Sequence, residues 1–334
     1  MKVLGIETSC DESAVGVVED GVLLTNLIAS QVELHERFGG VVPELASRAH
    51  VEALTPLVEE ALDRAGIGFS DLDGVAVTAG PGLVGALLVG IAAAKAVALA
   101  AEVPLIGVNH LEGHIYANHL EHEGSLVPNV CLVVSGGHTM LVHMPQEHRY
   151  RVLGQTLDDA AGEAFDKIAR FLGLGFPGGP ALDALARKGD PNAITFPRAM
   201  ADSGDYDFSL SGLKTSVLRY VKRERAAGRE PDAEDLAASF QEAIVDVQVA
   251  KTMRAAAETG VDTVLLGGGV VANTRLRERM TAAGDDRGVR VMIPSLALCT
   301  DNGAMIARAG ASRLERGERS DLDLAADPAM ALAG

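Results

Sequence analysis

Val3-Leu4-Gly5-Ile6, Ala14-Val15-Gly16-Val17-Val18 and Leu23-Leu24-Thr25-Asn26-Leu27-Ile28-Ala29 are three apolar runs separated by Cys10-Asp11-Glu12-Ser13 and Asp20-Gly21. Short apolar runs bounded by turn residues read as a three-strand meander. The same order returns in Val130 to Val134, Met140 to His143 and Tyr150 to Leu153, with Ser135-Gly136-Gly137-His138-Thr139 where the first meander has its acidic turn. Helix-like and strand-like segments alternate after each meander: Glu44 to Ala65, Val75 to Thr78, Leu83 to Ala101 and Leu105 to Val108, then Glu234 to Glu258, Thr263 to Leu266, Asn273 to Ala283 and Val289 to Ile293. The pattern predicts a duplicated α/β layout.

Two such lobes are expected to enclose a cleft in which glycine turns face a nucleotide. The predicted division is residues 1–110 for the first lobe and 111–301 for the second, with an irregular insertion at about 189–211. The last helix, Asn302 to Arg316, is expected to return to the first lobe with residues 302–325, and the tail after Gly317 to fray.

At 334 residues and 48% hydrophobic content the chain can bury a large core. Cys10, Cys131 and Cys299 match no zinc or disulfide spacing, which suits a reducing cytoplasm, and no cleavable leader is expected from Met1-Lys2 and the short apolar run after them. Leu83 to Ala101 carries only Lys95 as a charge; its glycines and alanines favour a core or partner-binding helix over a membrane span. The net charge of −17 excludes broad nonspecific nucleic-acid binding. A nucleic-acid partner would need a local patch, and Lys214, Arg219, Lys222, Arg223, Arg225 and Arg229 form one with only Glu224 among them.

His110 and His114 follow the apolar run Val103 to Val108 at a spacing of four. On a helix that begins there, both imidazoles project from one face and can share a divalent metal, with Asp301 as the natural third ligand. A zinc protease would place glutamate directly after the first histidine. Here Glu112 comes two residues later, about 200° round the helix, so it faces away and the general base of a peptidase is missing. Two glycine turns, Ser135-Gly136-Gly137 and Gly267-Gly268-Gly269, directly follow apolar strands, where backbone amides can cradle phosphate oxygens. Asn273 follows the second and could reach a sugar or base. Asp11 and Glu12, in the first hairpin turn, could bind metal or position an attacking group; Asp166, beside Lys167, and Asp183, after Gly178-Gly179-Pro180, have ion pairing and helix capping as ordinary alternatives.

Together these segments resemble the TsaD/Gcp/YgjD family of tRNA threonylcarbamoyl transferases, within the actin-like ATPase (ASKHA) superfamily. The resemblance spans nearly the whole chain. It is carried by Gly5-Ile6-Glu7-Thr8-Ser9-Cys10-Asp11-Glu12-Ser13, Gly80-Pro81-Gly82-Leu83, Asn109-His110-Leu111-Glu112-Gly113-His114, Ser135-Gly136-Gly137-His138-Thr139, Gly162-Glu163-Ala164-Phe165-Asp166-Lys167, Phe208-Ser209-Leu210-Ser211-Gly212-Leu213-Lys214-Thr215 and Gly267-Gly268-Gly269-Val270-Val271-Ala272-Asn273. It implies iron (Fe2+) or zinc (Zn2+) held by His110, His114 and Asp301. It also implies an adenine nucleotide, threonylcarbamoyl-adenylate or ATP, held by Val133, Val134, Ser135, Gly136, Gly137, Asp166, Gly179, Asp183 and Asn273. Val133 and His138 stand where the archaeal and eukaryotic branch has tyrosine and asparagine, so the likeness is to the bacterial branch.

The reaction the resemblance implies is transfer of threonylcarbamoyl from its adenylate to N6 of adenosine 37 in tRNAs that read ANN codons. Asp11 or Glu12 would be the group that orients or deprotonates the amine. The implied partners are tRNA, a TsaB-like paralogue and a TsaE-like ATPase, with a homodimer in their absence and no membrane. The small-residue face of Leu83 to Ala101, at Gly85 and Ala86, is expected to meet the paralogue. An ATP-dependent small-molecule kinase of the same fold is the alternative, but it would hold magnesium through phosphates and has no use for paired histidines. A noncatalytic scaffold has none either.

Overall fold

The computed structural model describes residues 1–332, and these divide into two compact units, residues 1–124 with 294–332 and residues 125–293. In the first unit, β1 (Lys2–Glu7), β2 (Glu12–Glu19) and β3 (Val22–Ser30) form the meander. There follow α1 (Val32–Glu36), α2 (Pro43–Ala65), β4 (Gly74–Gly80), α3 (Val84–Ala101), β5 (Leu105–Asn109) and α4 (His110–Tyr116). The sheet order is β3-β2-β1-β4-β5. β1 pairs antiparallel to β2 and parallel to β4, so two crossovers follow one meander. Every residue of β4 and β5 is buried, as strands covered on both faces require.

The second unit repeats the plan. Its elements are β6 (Asn129–Val134), β7 (Thr139–Gln146), β8 (Arg149–Gln155), α5 (Ala161–Phe171), α6 (Gly178–Ala186), α7 (Ser211–Ala226), α8 (Ala233–Thr259), β9 (Thr263–Gly267), α9 (Thr274–Asp285) and β10 (Arg290–Met292). Its sheet order, β10-β9-β6-β7-β8, is the same mixed arrangement read from the other edge. The segment from 189 to 210 is irregular but well packed. Phe196 is buried, Arg198 pairs with Asp246, and the fully buried Lys251 of α8 donates to the Asp207 carbonyl and, at 3.1 Å, to Ser203 Oγ.

The chain then returns to the first unit through α10 (Leu296–Cys299) and α11 (Gly303–Glu315). The predicted boundaries therefore move from 110 to 124 and from 301 to 293. The reason is local: Gly113 of α4 lies against Met305 and Ile306 of α11, and Glu121 accepts a 2.6 Å hydrogen bond from the Ser295 amide. α11 lies directly on the meander. A Cβ added at Gly5 would overlap Ala307 N and Gly303 O, and one at Gly303 would overlap Gly16 N and Val15 C, so backbone packs on backbone.

The tail after Gly317 is not frayed. Ser320 bridges to Leu105 at the open edge of β5, Leu324 packs into the first core, the Asp327 amide donates to Ala79 O, and Asn109 Nδ2 donates to Met330 O at 3.2 Å. Covering an edge strand in this way removes a template for misplaced pairing. Sequence reading missed this strap because a loop with no period gives no signal of what it covers.

Candidate functional site

α4 starts where it does because Asn109 caps it, its side chain accepting from the Leu111 amide at 2.9 Å. His110 and His114 are then one turn apart, ring centroids 4.6 Å apart, and both are buried. Asp301 comes from the turn between α10 and α11, which Asn302 pins by capping α11 through the Met305 amide and by donating to Thr300 O. Asp301 Oδ1 lies 3.2 Å from His114 Nε2 and 3.6 Å from His110 Nε2. The three ligand atoms all lie within 4.8 Å of one another.

These residues fit a metal on their own geometry. Ligand atoms about 2.0–2.2 Å from one tetrahedral ion are separated by roughly 3.2–3.6 Å, which matches the two histidine–aspartate spacings. Neither nitrogen of the fully buried His114 makes a hydrogen bond, despite the nearness of Asp301. Two ligands that converge on a third atom have that relation.

Behind His110 stands Glu7, fully buried at the end of β1 and not foreseen from the sequence. Its Oε2 is 3.0 Å from His110 Nδ1 and accepts a 2.5 Å hydrogen bond from Thr78, while Oε1 accepts from the Ser9 amide. This second carboxylate fixes the ring with Nδ1 donating and Nε2 turned to Asp301. Burial alone would depress the His110 pKa; Asp301 and Glu7 outweigh it and raise it to about 9. Glu7 is held below the carboxylate range, His110 overcoming the effect of burial. The available signal was a glutamate closing an otherwise apolar strand. Glu112 turns the other way, as the helical offset predicts, and its Oε2 lies 3.4 Å from Arg313 Nη1.

Asp11 and Glu12 stand at the start of β2. Glu12 is pushed up to about 9 by burial, then by the neighbouring Asp301 and Asp11. It therefore shares the electrostatic surroundings of the triad.

In the second unit, the Ser135–Gly137 turn leaves the end of β6. Ser135 closes it, its amide donating to His138 O and its Oγ accepting from the His138 amide, and Gly136 and Gly137 face open space. Val133 and Val134 are buried in β6, and Gly268, at φ +98°, lies so close to Val134 O that no side chain fits. Asp166 accepts from the Gly178 and Gly179 amides at 2.8 and 3.2 Å, so it caps α6; Lys167 pairs with Asp159 and Glu163 instead. Asp183 is buried, takes a 2.9 Å hydrogen bond from Thr274 and leaves Oδ1 without a partner. Asn273 caps α9 through Leu276 and donates to Gln241 at 2.7 Å. The unit thus gathers Ser135 to Gly137, Gly268, Asp183 and Asn273 at the carboxyl ends of the parallel pair β6 and β9, where nucleotides bind in such sheets.

The family model described as TsaD, tRNA N6-adenosine threonylcarbamoyltransferase, matches residues 22–308. The chain belongs to the TsaD family. Curated proteins named tRNA N6-adenosine threonylcarbamoyltransferase resemble it throughout. That of Symbiobacterium thermophilum is 56% identical over 331 residues, covering 99% of this chain and 96% of the relative. That of Bacillus subtilis is 53% identical over 334 residues, with 99% and 96% covered. Among solved structures, T. kodakarensis HypF superposes with a TM-score of 0.65 at 15% identity, covering 95% of this chain and 48% of that one. An activator of the 2-hydroxyisocaproyl-CoA dehydratase from Clostridium difficile, with bound ADPNP, gives 0.54 at 12% identity, with 96% and 99% covered. These two likenesses show the fold, here two five-stranded mixed sheets of the same duplicated order.

Proposed function

We propose that this protein transfers the threonylcarbamoyl group from threonylcarbamoyl-adenylate to N6 of adenosine 37 in tRNAs reading ANN codons, in the cytoplasm. The observation that carries the reading is the convergence of His110, His114 and Asp301 in a chain so closely related to named transferases. In the reaction, N6 attacks the carbamoyl carbon, the carbon–oxygen bond to the phosphate breaks, and its electron pair leaves with AMP. The donor is a mixed anhydride, already activated, so placement matters more than a nucleophilic side chain.

His110, His114 and Asp301 would hold Fe2+ or Zn2+, which supplies a Lewis acid for the threonylcarbamoyl part. Val133, Val134, Ser135, Gly136, Gly137, Asp166, Gly179, Asp183 and Asn273 would form the adenylate site. Support for this comes from the open Gly136–Gly137 turn and the unpartnered Asp183 oxygen. Asp166 and Asn273 contribute by capping α6 and α9 at that site. Asp11 or Glu12 would orient the amine or take its proton. Incubation with partner proteins, the adenylate and unmodified tRNA, followed by nucleoside analysis, tests the whole reading. Unchanged adenosine 37 overturns it.

The partners proposed are tRNA, a TsaB-like paralogue and a TsaE-like ATPase. Gly85 and Ala86 do not form the outer surface expected of them. Ala86 is fully buried, and a Cβ at Gly85 would meet Ser47 of α2. The outward stripe of α3 is Val84, Leu88, Ala92, Ala96 and Leu99, apolar and exposed, and it is the surface we assign to the paralogue or, in its absence, to a second copy. Leu88→Glu with Ala92→Glu should separate the subunits in gel filtration while leaving the metal bound. A complex that still co-elutes places the partner elsewhere.

The basic stretch of α7 is narrower than its composition implied. Arg223 and Arg229 pair with Glu224, Arg225 with Glu230 and Lys214 with Asp159, leaving Arg219 and Lys222 exposed with no ion-pair partner among the described residues. Arg219→Ala with Lys222→Ala should weaken tRNA binding and lower its salt slope by roughly one to two units. Adenylate affinity should stay the same. An unaltered salt slope excludes α7 as the docking face.

A further inference from the structure

Four buried polar side chains of the first unit have no part in the proposed chemistry: Ser13, Gln31, His35 and His50. They form one continuous line. The Val42 amide lies 3.3 Å from His35 Nδ1, and His35 Nε2 lies 3.2 Å from Gln31 Oε1. Gln31 Nε2 lies 3.3 Å from His50 Nδ1, which also faces Ser13 Oγ at 2.7 Å, and His50 Nε2 lies 3.0 Å from Cys10 O.

Both ends of the line are backbone groups of fixed polarity. Val42 can only donate, so His35 Nδ1 accepts and its Nε2 carries the hydrogen that Gln31 Oε1 receives. The Gln31 amide then donates to His50 Nδ1 and to Ala46 O. Cys10 O can only accept, so His50 Nε2 donates to it. One proton order satisfies every link. A proton added to His35 would set a donor against the Val42 amide, and one added at His50 Nδ1 would set a donor against the Gln31 amide and turn the Ser13 hydroxyl from donor to acceptor.

The line ends on the segment that carries Asp11 and Glu12, where three successive carbonyls between β1 and β2 are held by three elements. Leu83 N takes Ser9 O at 2.8 Å, His50 takes Cys10 O, and Gln31 N takes Asp11 O at 3.1 Å. We propose that His50, Gln31 and His35 are positioning residues which, through two neutral Nε2-protonated imidazoles, set the Cys10–Glu12 backbone for transfer. The proposal rests on the role assigned above to Asp11 and Glu12. His50 is held below the usual imidazole range mainly by burial, the Cys10 carbonyl, Glu7 and Asp11 opposing, which agrees with a neutral ring.

Two measurements test it. In His50→Leu, which keeps volume and loses the donor, kcat per metal-loaded protein should fall on the order of 10–100-fold, with metal content and KM for the adenylate unchanged. His50→Gln, which can still reach Cys10 O, should recover most of that loss. Equal kcat in His50→Leu and the parent overturns the proposal, as does a loss that His50→Gln fails to relieve. Nitrogen-15 spectra of the parent at neutral pH, assigned by the signals missing from His35→Leu and His50→Leu, should show both rings neutral and protonated on Nε2. An imidazolium or an Nδ1-protonated ring at either position also overturns it. The spectra need no turnover, so they decide the proton order even if the parent modifies no tRNA.

Discussion

His114→Ala protein is expected to purify without stoichiometric metal and to form no detectable threonylcarbamoyl-adenosine, although both units remain folded. His114 is fully buried, its two nitrogens have no hydrogen bond, and its Nε2 faces Asp301 at 3.2 Å. Truncation removes a ligand and leaves the rest of α4 capped by Asn109. A Lewis acid supplies several kcal/mol to a reaction of this kind, and about 1.4 kcal/mol is a tenfold change in rate, so roughly a 10³-fold loss follows. His110→Ala and Asp301→Ala should behave alike. Glu7→Gln should be graded, lowering metal affinity about 10–100-fold because it loosens a ligand without deleting it. Metal analysis and single-turnover transfer are the readouts, and a full complement of metal in His114→Ala would move the centre elsewhere.

Gly303→Ala should be strongly destabilising, costing on the order of 4 kcal/mol or more. The added Cβ would overlap Gly16 N and Val15 C, which are backbone atoms of β2 and cannot rotate away. Relief requires α11 to lift from the meander, and Asp301 precedes that helix by two residues. Metal affinity should therefore fall together with the melting temperature. Gly212→Ala, where a Cβ meets nothing within 4 Å, is the control and should be neutral or slightly stabilising. Equal melting temperatures for Gly303→Ala and the parent would mean that the helix is free to shift.

The strands and long helices were legible because each has its own period. The expected run Glu44 to Ala65 is α2 within one residue, and the two meanders appear where predicted. The nearness of the two histidines was legible too, since two side chains on one helical face need only local spacing. What could not be read were relations carried by distant backbone. Glu7 behind His110, the strap after Gly317, and the contact of α11 on β1 and β2 depend on residues brought together from opposite ends of the chain. Composition misled in the other direction at α7 and α3. A run of basic residues says nothing about whether Glu224 and Glu230 answer them, and of the small residues on α3 Gly85 and Ala86 lie against the protein while Ala92 and Ala96 face out.

The order of synthesis gives the split first unit a further meaning. His110 and His114 emerge from the ribosome well before Asp301, with the whole of residues 125–293 made in between. A growing chain thus holds the histidine pair alone, and only the arrival of α11 on β1 and β2 brings Asp301 to it. That intervening unit is uninterrupted and can reach its own fold first. On the proposed assignment, metal capture by all three ligands would be a late event and would report that the first unit has closed on itself.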